Sequence, residues 1–238
     1  MLILGIESAS LTASAALLLD DTVIAEYTTN FKKTHSQTIL PMVDEILRMT
    51  GKEMREVSAI AVSEGPGSFT GLRIGASLAK GLAFPDSLPI IPVPTLDAIA
   101  YGAFGQNSVL CPLMDARRSE VYSGLYSFEG ENFIIHEPAV ARPITDQVRA
   151  AEALAEKLGK PVMYLGDGLP VFADEIRKIA SVPYLFAPAH LRCQHAGAVA
   201  SLGARLYLSG RKESCYTFEP VYLRKSQAEQ EREKKGLD

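Results

Sequence analysis

The sequence predicts an α/β protein made of two related units, the second a reduced copy of the first. Three observations carry this reading. Residues 1–104 place strand-like and amphipathic segments in the order β-β-β-α-β-α-β-α. After a loop of turn-forming residues, Gly105-Gln106-Asn107-Ser108, a strand and a β-hairpin again precede helices. Between the strand at 59–63 and the helix that follows it, a Gly65-Pro66-Gly67 turn makes a tight corner of the kind α/β units use.

The first strands are read at residues 2–7, 13–19 and 23–29, with Asp20-Asp21 turning the chain between the second and third. An amphipathic helix follows at 36–50, with Ile39, Leu40, Val43, Ile46 and Leu47 to one side, Pro41 early in it and Gly51 as its stop. Next come the strand at 59–63, a helix ending near Ala83, a strand at 90–93 and a helix from Thr95. In the second unit, strands are expected at 109–114, 120–128 and 132–137, the last two paired across Gly130. Helices near 146–158 and 171–180 flank a strand at 162–165, and a small-residue helix covers 196–208. This divides the chain into lobes 1–105 and 106–224, with a mixed-charge tail at 225–238.

The stretch from Glu64 to Gly75 (EGPGSFTGLRIG) is the most informative in the chain. Gly65 and Gly67 supply backbone freedom, Pro66 fixes one φ, and Ser68 or Thr70 can cap the following helix by accepting from its first N–H groups. A strand, a glycine turn and a helix start together form a candidate anion site, yet no lysine stands where a P-loop needs one. Within the helix, Gly71, Gly75, Ala79 and Ala83 recur every four residues and so share a face almost free of side chains. That face fits packing on the protein's own sheet and equally fits close contact with another subunit.

Composition excludes several classes. A formal charge of −4 argues against stand-alone nucleic-acid binding. The start lacks a basic n-region and no apolar run approaches a membrane span, so a cytoplasmic protein is expected. Cys111, Cys193 and Cys215 are widely spaced and read as reduced thiols. None of His35, His136, His190 and His195 has the spacing of a helix-borne metal pair, and the His190, Cys193 and His195 cluster reads as loop and helix-start residues. Asp115-Ala116-Arg117 at a strand end reads either as a turn with an internal salt bridge or as a ligand contact, and Gly166-Asp167-Gly168 first as a strand-to-helix turn and second as a phosphate contact.

Ile6-Glu7-Ser8-Ala9-Ser10, His35-Ser36 with Leu40-Pro41, the Glu64–Gly75 run, Lys80-Gly81-Leu82-Ala83, Asp115-Ala116-Arg117 with Glu120-Val121-Tyr122, and Pro220-Val221-Tyr222-Leu223-Arg224 occur in this order. Together they resemble the bacterial TsaB (YeaZ) family over nearly the whole chain. The resemblance implies an actin-like, sugar-kinase-like (ASKHA) fold of two lobes with the second shortened. It implies a non-catalytic subunit for N6-threonylcarbamoyladenosine formation on tRNA, paired with the TsaD transferase and joined by the TsaE ATPase, with a homodimer when alone and tRNA contacted only indirectly. A glycoprotease-like peptidase and an independent ATPase are the competing readings.

The same resemblance implies that helices 36–50 and 70–83 form the contact with TsaD or with a second copy. Its interface residues would be Ile39, Val43, Ile46, Gly71, Leu72, Gly75, Leu78, Ala79 and Leu82. No catalytic residue, metal ligand or cofactor is expected. Glu7 stands where actin-like ATPases carry an Asp, and no glycine lies between Gly5 and Gly51 to open a phosphate turn. Glu7, Ser8, Ser10, Gly65, Gly67, Ser68, Asp115 and Arg117 are therefore candidates for ligand contact or for structural loops.

Overall fold

A computed structural model describes residues 1–31 and 34–224; the expected charged tail lies outside the described residues. The first sheet joins β1 (Leu2–Glu7), β2 (Ala13–Leu19), β3 (Thr22–Thr29), β4 (Ala59–Gly65) and β5 (Ile90–Pro94) in the order β3-β2-β1-β4-β5. β2 runs antiparallel to β1 and β3, while β4 and β5 run parallel to β1. The second sheet joins β6 (Val109–Asp115), β7 (Glu120–Glu129), β8 (Asn132–Pro143), β9 (Val162–Leu165) and β10 (Tyr184–Phe186). Its order, β8-β7-β6-β9-β10, repeats the first sheet strand for strand. This is the duplicated actin-like, sugar-kinase-like architecture. The second copy keeps all five strands, but β9 and β10 shrink to four and three residues.

Helices occupy equivalent places: α1 (His35–Thr50) and α4 (Ile144–Leu158) follow the third strand of each sheet, α2 (Phe69–Ala83) and α5 (Leu169–Ile179) the fourth. α3 (Thr95–Tyr101) closes the first unit; the short α6 (Ala189–Arg192) and then α7 (Ala196–Leu208) close the second. Strand alternation divides the first core. Leu2, Leu4 and Ile6 face Ile39, Val43 and Ile46 of α1 and Ala76, Ala79 and Ala83 of α2. Ile3, Ala59, Ala61, Ile91 and Val93 face Val199, Ala200 and Leu202 of α7. The terminal helices are thus exchanged. α7 lies on the first sheet, while Leu96, Ile99 and Ala100 of α3 pack with Leu110, Met114 and Tyr126 of the second.

Three sequence expectations are corrected here. The third strand of the second sheet continues to Pro143 rather than ending at residue 137, because β8 is an edge strand and Pro138 falls in an irregularity of its pairing with β7, between Glu137 and Val140. β10, α6 and a 3-10 turn at Met54–Glu56 fall where the sequence reading places no element. The glycine and alanine face of α2 points inward, since Gly71, Leu72, Gly75 and Ala79 are all buried within the chain. Ile39, Val43 and Ile46 of α1 are buried in the same core. Of the nine residues assigned to a partner interface, Leu78 and Leu82 alone are only partly buried. Among the described residues, no helix is long and apolar enough to cross a membrane.

Candidate functional site

Glu7 ends β1 at the junction of the lobes, with no exposure to solvent. Its Oε1 accepts from the Ala9 N–H at 2.6 Å, and the Ser63 hydroxyl of β4 donates to Oε2. Burial pushes its carboxyl up to about 7; the Ser63 and Ala9 donors pull against this, and the Asp167 carboxylate adds to it. Asp167 comes from the turn after β9 in the second lobe, where Gln194 Nε2 donates to it at 3.4 Å. Burial raises its carboxyl as well. Two carboxylates from opposite lobes therefore act on one another at this junction, Glu7 fully buried and Asp167 partly so.

The turn from β1 to β2 is packed shut by the Glu64–Gly75 run. β4 ends on Gly65 at φ 125°, a left-handed conformation that glycine alone adopts readily, followed by a cis Gly65–Pro66 bond. This corner drives the chain onto the turn. The Ser68 N–H donates to the Ala9 carbonyl at 2.6 Å, and His35 Nε2 of α1 donates to the Ser10 carbonyl at 2.6 Å. A Cβ on Gly67 would lie 2.3 Å from the Ala9 oxygen, one on Gly71 2.1 Å from the Ser8 oxygen, and one on Gly75 2.2 Å from Ser8 Oγ. The glycines are thus what close approach of two backbones requires. Ser68 is the cap of α2, its hydroxyl accepting from the Gly71 N–H at 3.2 Å.

Chemically, the turn is poorly suited to phosphate. A phosphate needs N–H donors, but here the Ala9 N–H is taken by Glu7 and the Thr12 N–H by Ser10 Oγ at 3.3 Å. Facing the helices are carbonyls, of which those of Ala9 and Ser10 already accept from Ser68 and His35.

In the second lobe, the matching turn from β6 to β7 carries Asp115 and Arg117. Asp115 Oδ1 accepts from the Arg117 N–H at 2.8 Å, and the two side chains pair at 3.6 Å. This is the turn with an internal salt bridge. The chain's last described segment straps the two turns together. The Val221 N–H donates to the Glu64 carbonyl at 2.7 Å, and the Tyr222 ring lies 4.5 Å from that of Phe69. Arg224 then donates to the Ala116 carbonyl at 3.1 Å and pairs with Glu120. Sequence reading singled out Asp167 first as a turn residue and missed Ser63 and this strap as parts of the site; the only signal for the strap was the Pro220–Arg224 patch. His190, Cys193 and His195 sit elsewhere, lining a cavity of about 410 Å³ between β3, α3 and α7. There Glu26 pairs with His195 at 3.5 Å and accepts from the first turn of α7 at Gly197.

The outward sides of α1 and α2 carry apolar side chains. Leu40 is 50% exposed, Met49 62% and Phe84, just past α2, 61%. Met42, Leu47, Leu78 and Leu82 are partly buried and pack against the core from the same two helices.

Comparison with known proteins fits this architecture. The family model for TsaD, tRNA N6-adenosine threonylcarbamoyltransferase, matches residues 22–232. The tRNA threonylcarbamoyladenosine biosynthesis protein TsaB of Bacillus subtilis is 34% identical over 96% of both chains. This chain belongs to the TsaB family. TsaB of Escherichia coli is 33% identical over 96% of both chains. YeaZ from Pseudomonas aeruginosa superposes with a TM-score of 0.79 at 25% identity, covering 93% of this chain and 99% of that one. The role of the TsaB family lies in tRNA threonylcarbamoyladenosine biosynthesis.

Proposed function

We propose that this TsaB-family chain is a non-catalytic subunit that binds and supports a TsaD-like transferase during N6-threonylcarbamoyladenosine formation on tRNA, with a TsaE-like ATPase joining the complex. The observation that carries the reading is the apolar outer surface of α1 and α2. These helices lie side by side on one face of the first sheet and turn Leu40, Met49 and Phe84 to solvent. Leu40 and Met49, nine residues apart, flank the buried stripe of α1 on opposite sides, and Phe84 follows the end of α2. The two helices thus offer a spread of exposed apolar side chains, which a subunit contact can bury. The interface is thus assigned to the same two helices as before, but to their outer faces. A homodimer using this surface would exclude the TsaD-like partner. The β1–β2 turn, with the Ala9 and Thr12 N–H groups taken internally and a buried carboxyl behind it, supports a chain with no nucleotide chemistry of its own in the first lobe.

Co-purification with the TsaD-like protein of the same organism, followed by light scattering on a sizing column, tests the assignment. Leu40→Glu with Met49→Glu alters only exposed positions. It should leave the thermal midpoint within a few degrees and weaken the mixed complex at least tenfold. An unchanged complex would overturn the placement. ATP hydrolysis or peptide cleavage by the isolated chain would revive the enzymatic alternatives.

A further inference from the structure

Three successive non-glycine residues in the β6–β7 turn, Arg117, Arg118 and Ser119, stand at φ 68°, 58° and 60°. Left-handed backbone is costly for such residues and persists only where neighbours impose it. Here they do. The Ala116 N–H donates to Glu120 O at 3.0 Å, Glu120 N–H to Arg117 O at 3.2 Å, and Ile144 N–H to Ser119 O at 3.3 Å. The turn is thereby a rigid platform that carries two adjacent arginines.

A basic and aromatic band runs from this platform back to the first lobe. Arg224 grips the turn through the Ala116 carbonyl. Two residues earlier Tyr222, 37% exposed, packs against Phe69. The Arg73 guanidinium of α2 sits 3.9 Å from the centre of the Phe69 ring on the first lobe's side. Of the four arginines, Arg117 is paired with Asp115 and Arg224 with Glu120. Arg73 and Arg118 have no carboxylate partner among the described residues. The band is therefore locally cationic on a chain whose overall charge is −4.

We infer that this band, Arg73, Arg117 and Arg118 with Tyr222, held in place by Arg224, is a direct contact for the phosphate backbone of the RNA that the complex modifies. Planar guanidinium forks suit phosphate oxygens, and an aromatic ring between them suits an unpaired base. A few fixed arginines on an acidic chain do not hold RNA alone; they extend a site held mainly by another subunit. The band starts on α2, beside the surface assigned to the TsaD-like partner, so an RNA held there can continue onto it. The inference rests on that assignment, and it replaces the expectation of purely indirect tRNA contact.

The test uses the full chain bound to its TsaD-like partner and a labelled tRNA transcript with an ANN-reading anticodon. Affinity is measured across salt concentration for wild type and for Arg117→Asn with Arg118→Asn. Asn tolerates left-handed backbone, so the charges leave while the turn stays. Light scattering on the same samples reads assembly independently, so loss of the partner complex and loss of RNA contact are told apart. An intact complex should bind tRNA about tenfold more weakly at low salt, with the slope of log affinity against log salt reduced by about 1 to 2. An intact complex with wild-type affinity and slope would overturn the inference. So would a variant that keeps its salt slope but loses a protein subunit, which would reassign the band to an acidic protein partner.

Discussion

Gly71 and Gly81 belong to one helix, and a methyl group added to each should move stability in opposite directions. A Cβ at Gly71 would meet the Ser8 carbonyl at 2.1 Å, a backbone atom that yields only if the β1–β2 turn shifts. Gly71→Ala should therefore cost about 1–3 kcal/mol by overpacking. Gly81 is exposed with nothing within 4 Å of the added atom. Gly81→Ala should gain about 0.5–1 kcal/mol, since alanine loses less backbone freedom on folding. Urea midpoints at constant m-value read both changes; a neutral Gly71→Ala would mean that the small face is not packed inward. Glu7 gives a prediction of another kind. Its carboxyl ordinarily titrates at 4.5 and in the fold at about 7, so the folded state holds the proton more tightly. Its favourable contribution is complete below pH 4.5 and is lost as pH rises through 7, a change on the order of 3 kcal/mol. Glu7→Gln should flatten the fall in stability between about pH 5 and 8. Denaturant unfolding at four pH values checks this, and parallel profiles for the two proteins would refute it. Asp167 is present in both, so the difference reports Glu7.

At the level of elements, α2 shows what sequence does and does not encode. Its existence, its start after the Gly-Pro-Gly turn and its four-residue repeat of small side chains were all legible, because they depend on local spacing. Which way the small face turns was not, since a helix can press such a face on its own sheet or on another chain. The deciding contact, Ser8 against Gly71 and Gly75, joins residues far apart in sequence. The candidate site was legible to the same extent. Glu7, Ser8, Ser10, Gly67 and Ser68 do meet, whereas Asp167 and the strap arrive from the other lobe. β10 and α6, three and four residues long, are too short for any period to declare itself. The cap of α2 was left between two hydroxyls, and geometry chooses Ser68. Ser68→Ala should cost about 1 kcal/mol, while exposed Thr70→Ala should stay within about 0.5 kcal/mol. Equal losses from both would contradict that assignment.

For the whole molecule, the exchanged helices set the unit of cooperativity. Chain order proposes lobes 1–105 and 106–224 with the cut in the Gly105–Ser108 loop, yet packing crosses that cut in both directions. The first lobe relies on Val199, Ala200 and Leu202 of α7 to cover Ile3, Ala61, Ile91 and Val93. The second relies on Leu96 and Ile99 of α3 to cover Leu110, Met114 and Tyr126, and the Tyr126 hydroxyl donates to Asp97 of α3 at 2.8 Å. Burying each Val or Leu contributes about 1.5–3 kcal/mol, so stripping one helix from its sheet removes a sum comparable to the 5–15 kcal/mol of a whole domain. The strap adds a third crossing, from Glu64 to Ala116 and Glu120. Fragment 1–105 expressed alone should then fail to unfold cooperatively and should bind a hydrophobic dye. Co-expressed with 106–224 it should co-purify as a noncovalent pair, because the cut falls in a loop while the packing crosses elsewhere. A lone 1–105 fragment with a sharp unfolding transition would show that the first sheet holds its fold without α7, and that the two lobes are separable domains.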